Sequence, residues 1–207
     1  MSSAISRRTL LQATGLLPMV AYAANATPER KLSSNPARQP EEVAGMTSTA
    51  QSLPNGASDF DFLHGSWRVS HQRLAQRLKG SNDWVRFGGT MSAKPILGGL
   101  GNFDENVIEL PQGTYEACTV RMFNPTQARW SIYWIDARDP KLDQPVHGVF
   151  SNGVGTFYGE DVFAGRPIRI RFLWSHIQAR SARWEQAFSA DGGATWEPNW
   201  IMEFARV

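Results

Sequence analysis

The sequence has a single cysteine, Cys118, among its 207 residues. One cysteine excludes an internal disulfide and any metal or redox motif that requires two cysteine ligands. No apolar run is long enough to cross a bilayer, so we predict no transmembrane segment. No Gly-x-Ser-x-Gly nucleophile motif occurs, and Gly98-Gly99-Leu100-Gly101 lacks the lysine and hydroxyl of a phosphate-binding loop.

The chain also has little net charge. Its formal charge is +2, and Arg7 and Arg8 are the only charged residues among the first 24. Without that segment the chain is neutral. Because nucleic-acid binding needs clustered lysine and arginine against phosphate, we predict no nucleic-acid partner.

Aromatic residues are confined to one part of the chain. All 8 Trp and all 11 Phe lie at or after Phe60, so residues 58–207 are predicted to form one folded domain. Residues 25–57 have no aromatic side chain and are rich in proline and small polar residues. Such a segment buries too little apolar surface to offset its chain entropy, which predicts a disordered leader.

The folded domain reads as a succession of short strands separated by Gly, Pro, Asn and Asp turns. The connections are too short for crossover helices, so the strands are expected to be antiparallel. The predicted strands are 66–77, 84–93, 102–109, 114–123, 129–136, 146–151, 156–163, 168–175, 182–189 and 195–206.

Apolar and polar residues alternate along these strands. Trp130, Ile132 and Trp134 share one face of their strand, and Ser131 and Tyr133 share the other. About ten such strands can close into a barrel wide enough to hold a small ligand. The predicted fold class is therefore all-β, a single antiparallel barrel of about ten strands; an open sandwich is the alternative.

The N-terminus resembles a twin-arginine export signal. Arg7 and Arg8 precede a mildly apolar stretch, and Ala21-Tyr22-Ala23 fits the small-x-small pattern of a signal peptidase site. The resemblance implies a signal peptide over 1–24, folding in the cytoplasm, and a periplasmic or secreted protein.

From Phe60 onward the chain resembles an exported bacterial family of lipocalin-like (calycin) barrels of uncharacterised function. In such barrels the glycine of a Gly-x-Trp opening allows a tight entry into the first strand, and the indole plugs the closed end. An arginine commonly stacks on that indole, which predicts contact between Arg206 and Trp67. The resemblance is carried by residues 60–67, 102–105, 155–161 and 183–189.

No cofactor is predicted. A haem-binding relative of the lipocalins also opens with Gly-x-Trp and continues with further glycines, whereas Arg68-Val69-Ser70-His71 follow here. The four histidines show no metal-ligand spacing, so no metal site is predicted. Of the four histidines, His147 is the candidate for a haem ligand or a general base if it points into the cavity.

Residues 189–196 match the Asp-box pattern of sialidases and related propellers. The physical basis of that pattern is a hairpin: the aspartate accepts hydrogen bonds from turn amides, the glycines take positive φ, and the tryptophan packs below. One copy predicts such a turn rather than a propeller.

We predict binding of a small apolar or aromatic ligand in the barrel, with arginines and carboxylates fixing its orientation. Adjacent Tyr133 and Trp134 cannot both face inward, and Glu160 and Asp161 point to opposite faces. The candidate ligand-binding residues are Arg121, Tyr133, Trp134, His147, Glu160, Arg171, Trp174 and Glu185.

Two other functions stay open at this point. One is an enzyme with Glu160 or Glu185 as general base, which needs a cavity carboxylate with a raised pKa. The other is a structural envelope protein whose barrel is packed solid with aromatic side chains. The sequence assigns no catalytic residue and no oligomeric state.

Overall fold

The computed structural model describes residues 52–207. The predicted signal peptide, with Arg7 and Arg8, and most of the predicted leader lie outside the described residues. The last leader residues pack on the barrel: Ala57 is buried in the core, and Trp130 Nε1 donates to the Gly56 carbonyl at 3.0 Å. In this part of the chain no helix has the length and apolar character needed to cross a membrane.

Ten antiparallel strands form one closed barrel in the described residues. Each strand pairs with its neighbours in sequence, and β1 pairs with β10 to complete the ring. This confirms the predicted barrel and excludes the open sandwich. The strands are β1 (Gly65–Leu74), β2 (Trp84–Ile96), β3 (Gly101–Leu110), β4 (Gly113–Asn124), β5 (Arg129–Asp136), β6 (Val146–Ser151), β7 (Val154–Phe163), β8 (Arg166–Gln178), β9 (Ser181–Ser189) and β10 (Glu197–Arg206).

In the closed barrel, the buried apolar residues identify the inward face of each strand. Trp130 and Ile132 on β5 are buried inside the barrel, and so are Ile168 and Trp174 on β8. The wall is least continuous between β5 and β6, where only three residue pairs join the strands, from Trp130 opposite Gly148 to Ile132 opposite Val146.

The antiparallel order separates the loops into two ends. Loops 75–83, 111–112, 137–145, 164–165 and 190–196 lie at one end, called here the mouth, and loops 97–100, 125–128, 152–153 and 179–180 lie at the other. Gly98 and Gly99 therefore lie at the end opposite the mouth. Gly99 lies against Leu53, within the segment that covers the closed end.

An aromatic plug fills the closed end. The chain enters the barrel through a short 3₁₀ helix, Asp61–Leu63, and the preceding Phe60 is fully buried. The Phe60 ring packs edge-on against Trp130 and Phe150, both at 4.9 Å between centroids. The segment before β1 therefore closes one end of the barrel and leaves the other end open.

Arg206 fastens the plug to the last strand. Its guanidinium donates to the carbonyls of His64 and Phe62, each at 2.6 Å, and its Cζ lies 4.2 Å from the centre of the Trp67 ring. The predicted stacking of Arg206 on Trp67 is confirmed. Gly65 has φ +108°, and a Cβ there would lie 2.9 Å from Arg206 Nη1, so both the backbone and the close approach favour glycine.

The predicted Asp-box turn is present between β9 and β10. The Thr195 N–H donates to Asp191 Oδ1 at 2.9 Å, and Gly192 and Gly193 have φ of +73° and +99°. Trp196 Nε1 donates to the Gly193 carbonyl at 3.0 Å. Hydrogen bonds from the Thr195 hydroxyl, the Thr195 N–H and the Ser189 hydroxyl hold the pKa of the Asp191 carboxyl well below its usual range, as expected of a structural acceptor.

Replacing Arg206 tests its role at the closed end. We expect Arg206→Ala to lower the free energy of unfolding by about 2–3 kcal/mol, because two charge-assisted hydrogen bonds and a cation–π contact are lost together. Urea unfolding followed by tryptophan fluorescence measures the loss. Arg68→Ala, at an exposed position on β1, is the matched control and should change stability by less than about 0.5 kcal/mol. Equal losses in the two variants would contradict this role.

Candidate functional site

A cavity of about 540 Å³ runs from the mouth into the barrel. This volume lies within the range of pockets that hold small organic ligands. Its wall includes nine aromatic side chains, and four of them are indoles: Trp134, Trp174, Trp184 and Trp200. The alternative of a barrel packed solid with aromatic side chains does not fit this volume.

A buried ion pair lies at the bottom of the cavity. Arg121 on β4 and Asp104 on β3 form a salt bridge, with 6% and 1% of their side-chain surfaces exposed. Arg121 Nη1 also donates to Asn102 Oδ1 at 2.9 Å, and Asn106 Nδ2 donates to Asp104 Oδ1 at 2.5 Å. The asparagines supply the extra hydrogen bonds that a pair of buried charges requires.

Aromatic rings hold the Arg121 guanidinium from below. Its Cζ lies 5.2 Å from the Phe60 ring centre and 5.7 Å from that of Trp174, so the plug and the site share residues. Arg121 Nε and Trp174 Nε1 are both buried and find no acceptor among residues 52–207. The bottom of the cavity therefore has more donors than acceptors.

His71 forms a second buried polar contact, with Trp200 of the cavity wall. Its Nδ1 accepts a hydrogen bond from Trp200 Nε1 at 3.2 Å, which places the imidazole proton on Nε2. The ring stacks on Phe87 at 4.7 Å between centroids. Burial, and to a lesser extent the charge of Arg73, lowers the pKa of His71 to about 4, so the ring is neutral at physiological pH.

Charged side chains surround the mouth. Arg138 and Asp136 form a two-point pair, with Nε to Oδ1 at 2.9 Å and Nη2 to Oδ2 at 2.6 Å. Arg138 also lies over Tyr115, with its Cζ 3.6 Å from the ring centre. Burial and the nearby Asp161 raise the pKa of Asp143. No three His, Cys, Asp or Glu side chains in the described region are grouped so as to hold a metal ion.

The structure brings three of the sequence-predicted site residues into the cavity. Arg121 lies at its bottom, and Trp134 and Trp174 form part of its wall. Ligand binding by these three residues stays a prediction.

The other five predicted residues do not line the cavity: Tyr133, His147, Glu160, Arg171 and Glu185. Strand alternation is the reason, since the lining residue in each case is a chain neighbour: Trp134, Val146, Asp161, Phe172 or Trp184.

On the outer face of the barrel, three of these five residues, Arg171, Glu185 and His147, contact other side chains. Arg171 Nη2 lies 3.6 Å from Glu185 Oε1, and its Cζ lies 5.0 Å from the centre of the Trp196 ring. His147 Nδ1 and Ser131 Oγ are 2.9 Å apart. The pairing of Arg171 with Glu185 stabilises the outside of the wall.

Sequence reasoning missed Asp104, Asn106, Arg73 and Arg77 as cavity residues. A signal for the first two was present, because Asn102, Asp104 and Asn106 alternate on β3 and all three are buried. Arg73 likewise follows Trp67, Val69 and His71 at a spacing of two along β1. Arg77 lies beyond the end of β1, where no periodicity indicates its direction.

Comparisons with known proteins give a distant structural similarity and no sequence match. No family model matches the chain, and no curated protein sequence matches it. Among solved structures, the chain is similar to the S-type phycobiliprotein lyase CPES from Guillardia theta, at 8% identity and a TM-score of 0.48, over 72% of this chain and 90% of that chain. A similarity this distant carries no argument about a ligand, so the function is inferred from the cavity itself.

The buried pair can be tested by a double-mutant cycle. We expect Arg121→Leu to cost about 3–5 kcal/mol of unfolding free energy, because it leaves the Asp104 charge buried without its partner. The double variant Arg121→Leu/Asp104→Leu should cost less than that single variant, since no charge is then stranded. Urea unfolding of the four proteins gives the coupling energy. A single variant that costs below about 1 kcal/mol would contradict a desolvated pair.

His71 predicts a specific loss of stability in acid. Its folded pKa of about 4 lies below the ordinary value of 6.5, so the unfolded chain binds the proton more tightly. The contribution of His71 is therefore full above pH 6.5 and is lost as the pH falls from 6.5 towards 4. We expect the unfolding free energy to fall about 2–3 kcal/mol further in the wild type than in His71→Gln between pH 7 and roughly pH 4.5. Equal pH dependence of the two proteins would contradict a neutral, buried His71.

Proposed function

We propose that this protein binds a small, largely aromatic or apolar organic molecule inside the barrel. The observation that carries the proposal is the cavity of about 540 Å³, which is open at the mouth, plugged at the other end and lined by four indoles. Aromatic walls contribute large apolar contact areas and edge-to-face packing to a flat ligand. A structural barrel with a filled interior would not contain a cavity of this volume.

Polar groups at the two ends support binding with a fixed orientation. Arg121 and Asp104 lie at the bottom, and charged side chains surround the mouth. A ligand with a polar group at one end and an apolar body matches this distribution. The wall between the two ends is mainly apolar, so it favours shape and ring contacts over hydrogen bonds.

An enzyme is the second candidate. Glu160 and Glu185, the predicted bases, are not among the residues that line the cavity, and both oxygens of Asp104 are engaged by Arg121 and Asn106. The observation that favours catalysis is Asp143, a mouth carboxyl whose pKa is raised by burial and by Asp161. Binding needs no further group and is the better supported function.

The proposal includes a place of action. We propose that the chain is an exported lipocalin-like (calycin) barrel, and that it meets its ligand in the periplasm or outside the cell. The support is the sequence around Arg7 and Arg8, together with the Gly-x-Trp opening at Gly65 and Trp67.

Binding of the neutral fluorophore N-phenyl-1-naphthylamine tests the proposed function. We expect one probe per full-length chain, with energy transfer from the tryptophans that line the cavity. Thr119→Phe, which fills the interior from β4, should weaken binding at least about tenfold. Val120→Phe, the adjacent position on the opposite face of the same strand, is the matched control and should leave binding unchanged.

Two results would contradict cavity binding. One is a wild-type protein that does not bind the probe at all. The other is equal weakening, or no weakening, in the Thr119→Phe and Val120→Phe variants. Circular dichroism of each variant confirms that the barrel is intact.

A further inference from the structure

Two arginines at the mouth lack a carboxylate partner in the described residues. Arg73 near the end of β1 and Arg77 in the following loop both line the cavity, and neither has an Asp or Glu oxygen within 4.0 Å. Both side chains are half-buried. Half-buried guanidinium groups usually have an anionic partner, because removal of a charge from water is otherwise uncompensated.

Aromatic rings hold these two arginines at the cavity. Arg73 Cζ lies 5.3 Å from the Trp200 ring centre and 5.7 Å from that of Phe87. Arg77 Cζ lies 4.8 Å from the Phe163 ring centre and 5.8 Å from that of Phe188. These cation–π contacts restrain each guanidinium group beside the cavity, where its N–H groups can donate to an anion.

The two like charges are close enough to oppose each other. Burial is the main reason that the pKa of Arg77 is lowered, and the neighbouring charge of Arg73 lowers it further, against a small opposite effect of Glu197. Leu78 N–H donates to Glu197 Oε1 at 2.7 Å, so that carboxylate is already engaged with the loop backbone. Two cations on the same side of the cavity entrance repel each other, and an anion bound between them would relieve that repulsion.

The carboxylates around the mouth do not serve as that anion. Asp136 accepts hydrogen bonds from Arg138 at both carboxylate oxygens. Asp139 accepts one from Lys141 Nζ at Oδ2. Asp161 Oδ1 accepts from the Val162 N–H at 2.7 Å, and Asp143, whose pKa is raised, pairs with no arginine or lysine within 4.0 Å. Hydrogen bonds from Arg138, and to a lesser extent the charge of Arg73, lower the pKa of Asp136, but no carboxylate oxygen in the described residues lies within 4.0 Å of Arg73 or Arg77.

We infer that Arg73 and Arg77 together bind the anionic group of the ligand, and that the ligand is an aromatic organic acid whose ring system lies among the indoles below. This inference rests on the proposed function and specifies its ligand class. The shared chemistry is a carboxylate, sulfonate or phosphate that accepts hydrogen bonds from two guanidinium groups.

Two fluorophores that differ by one acidic group test the inference. 8-Anilinonaphthalene-1-sulfonate is N-phenyl-1-naphthylamine with an added sulfonate, so the pair isolates the contribution of the charge. We expect the Arg73→Gln/Arg77→Gln double variant to bind the sulfonate probe at least about tenfold more weakly, while binding of the neutral probe changes less than about threefold.

Arg169→Gln is the matched control. Arg169 also stacks on a ring, with its Cζ 5.7 Å from the Tyr158 centre, but it does not line the cavity. This variant should bind both probes as the wild type does. Arg73→Lys/Arg77→Lys keeps the charges and should retain part of the preference for the sulfonate.

A measurement on the wild type keeps the inference falsifiable if the glutamine variant fails to fold. Raising the salt from about 50 to 500 mM should weaken binding of the sulfonate probe and leave the neutral probe unaffected. Equal salt dependence of the two probes, or full sulfonate affinity in a folded double variant, would overturn the anion site while leaving cavity binding intact. A wild type that binds neither probe would overturn both proposals.

Discussion

Closure of one end of the barrel is the constraint on which the rest of the structure depends. A ring of ten strands is by itself an open tube, and here the chain before β1 folds back to fill one end with Phe60. Arg206 holds that segment by its carbonyls and stacks on Trp67. The same Phe60 ring lies beneath the Arg121 guanidinium, so the residue that closes the barrel also forms the floor of the cavity.

The interior combines two kinds of polar group with different consequences. Arg121 and Asp104 neutralise each other and are surrounded by Asn102 and Asn106, an arrangement that stabilises one packing of the floor. Arg73 and Arg77 are stacked on rings, and no carboxylate oxygen in the described residues lies within 4.0 Å of either. The Arg121–Asp104 pair stabilises the fold, whereas the charges of Arg73 and Arg77 at the mouth remain available to an anion.

Strand existence and position were predictable because alternation is a local property of the chain. The predicted strands at 129–136 and 146–151 coincide with β5 and β6. The assignment of side chains to the cavity was less predictable, because both faces of this wall carry aromatic rings and arginines. Arg171 stacks on Trp196 outside much as Arg73 stacks on Trp200 inside, and Tyr133 neighbours Trp134 on the same strand. Only the closure of the ring decides which of two similar faces is enclosed, and closure is a non-local property.

The short pairing between β5 and β6 has a dynamic consequence. Beyond Ile132 the upper part of β5 has no ladder partner on β6. The connecting segment joins it there by two backbone hydrogen bonds, from the Asp143 N–H to the Trp134 carbonyl and from the Asp139 N–H to the Asp136 carbonyl, each at 3.0 Å. Local opening costs least where the fewest hydrogen bonds must break. The wall beside Trp134 is thus the part of the barrel that opens most readily, and its amides should exchange with solvent before those between the other strand pairs.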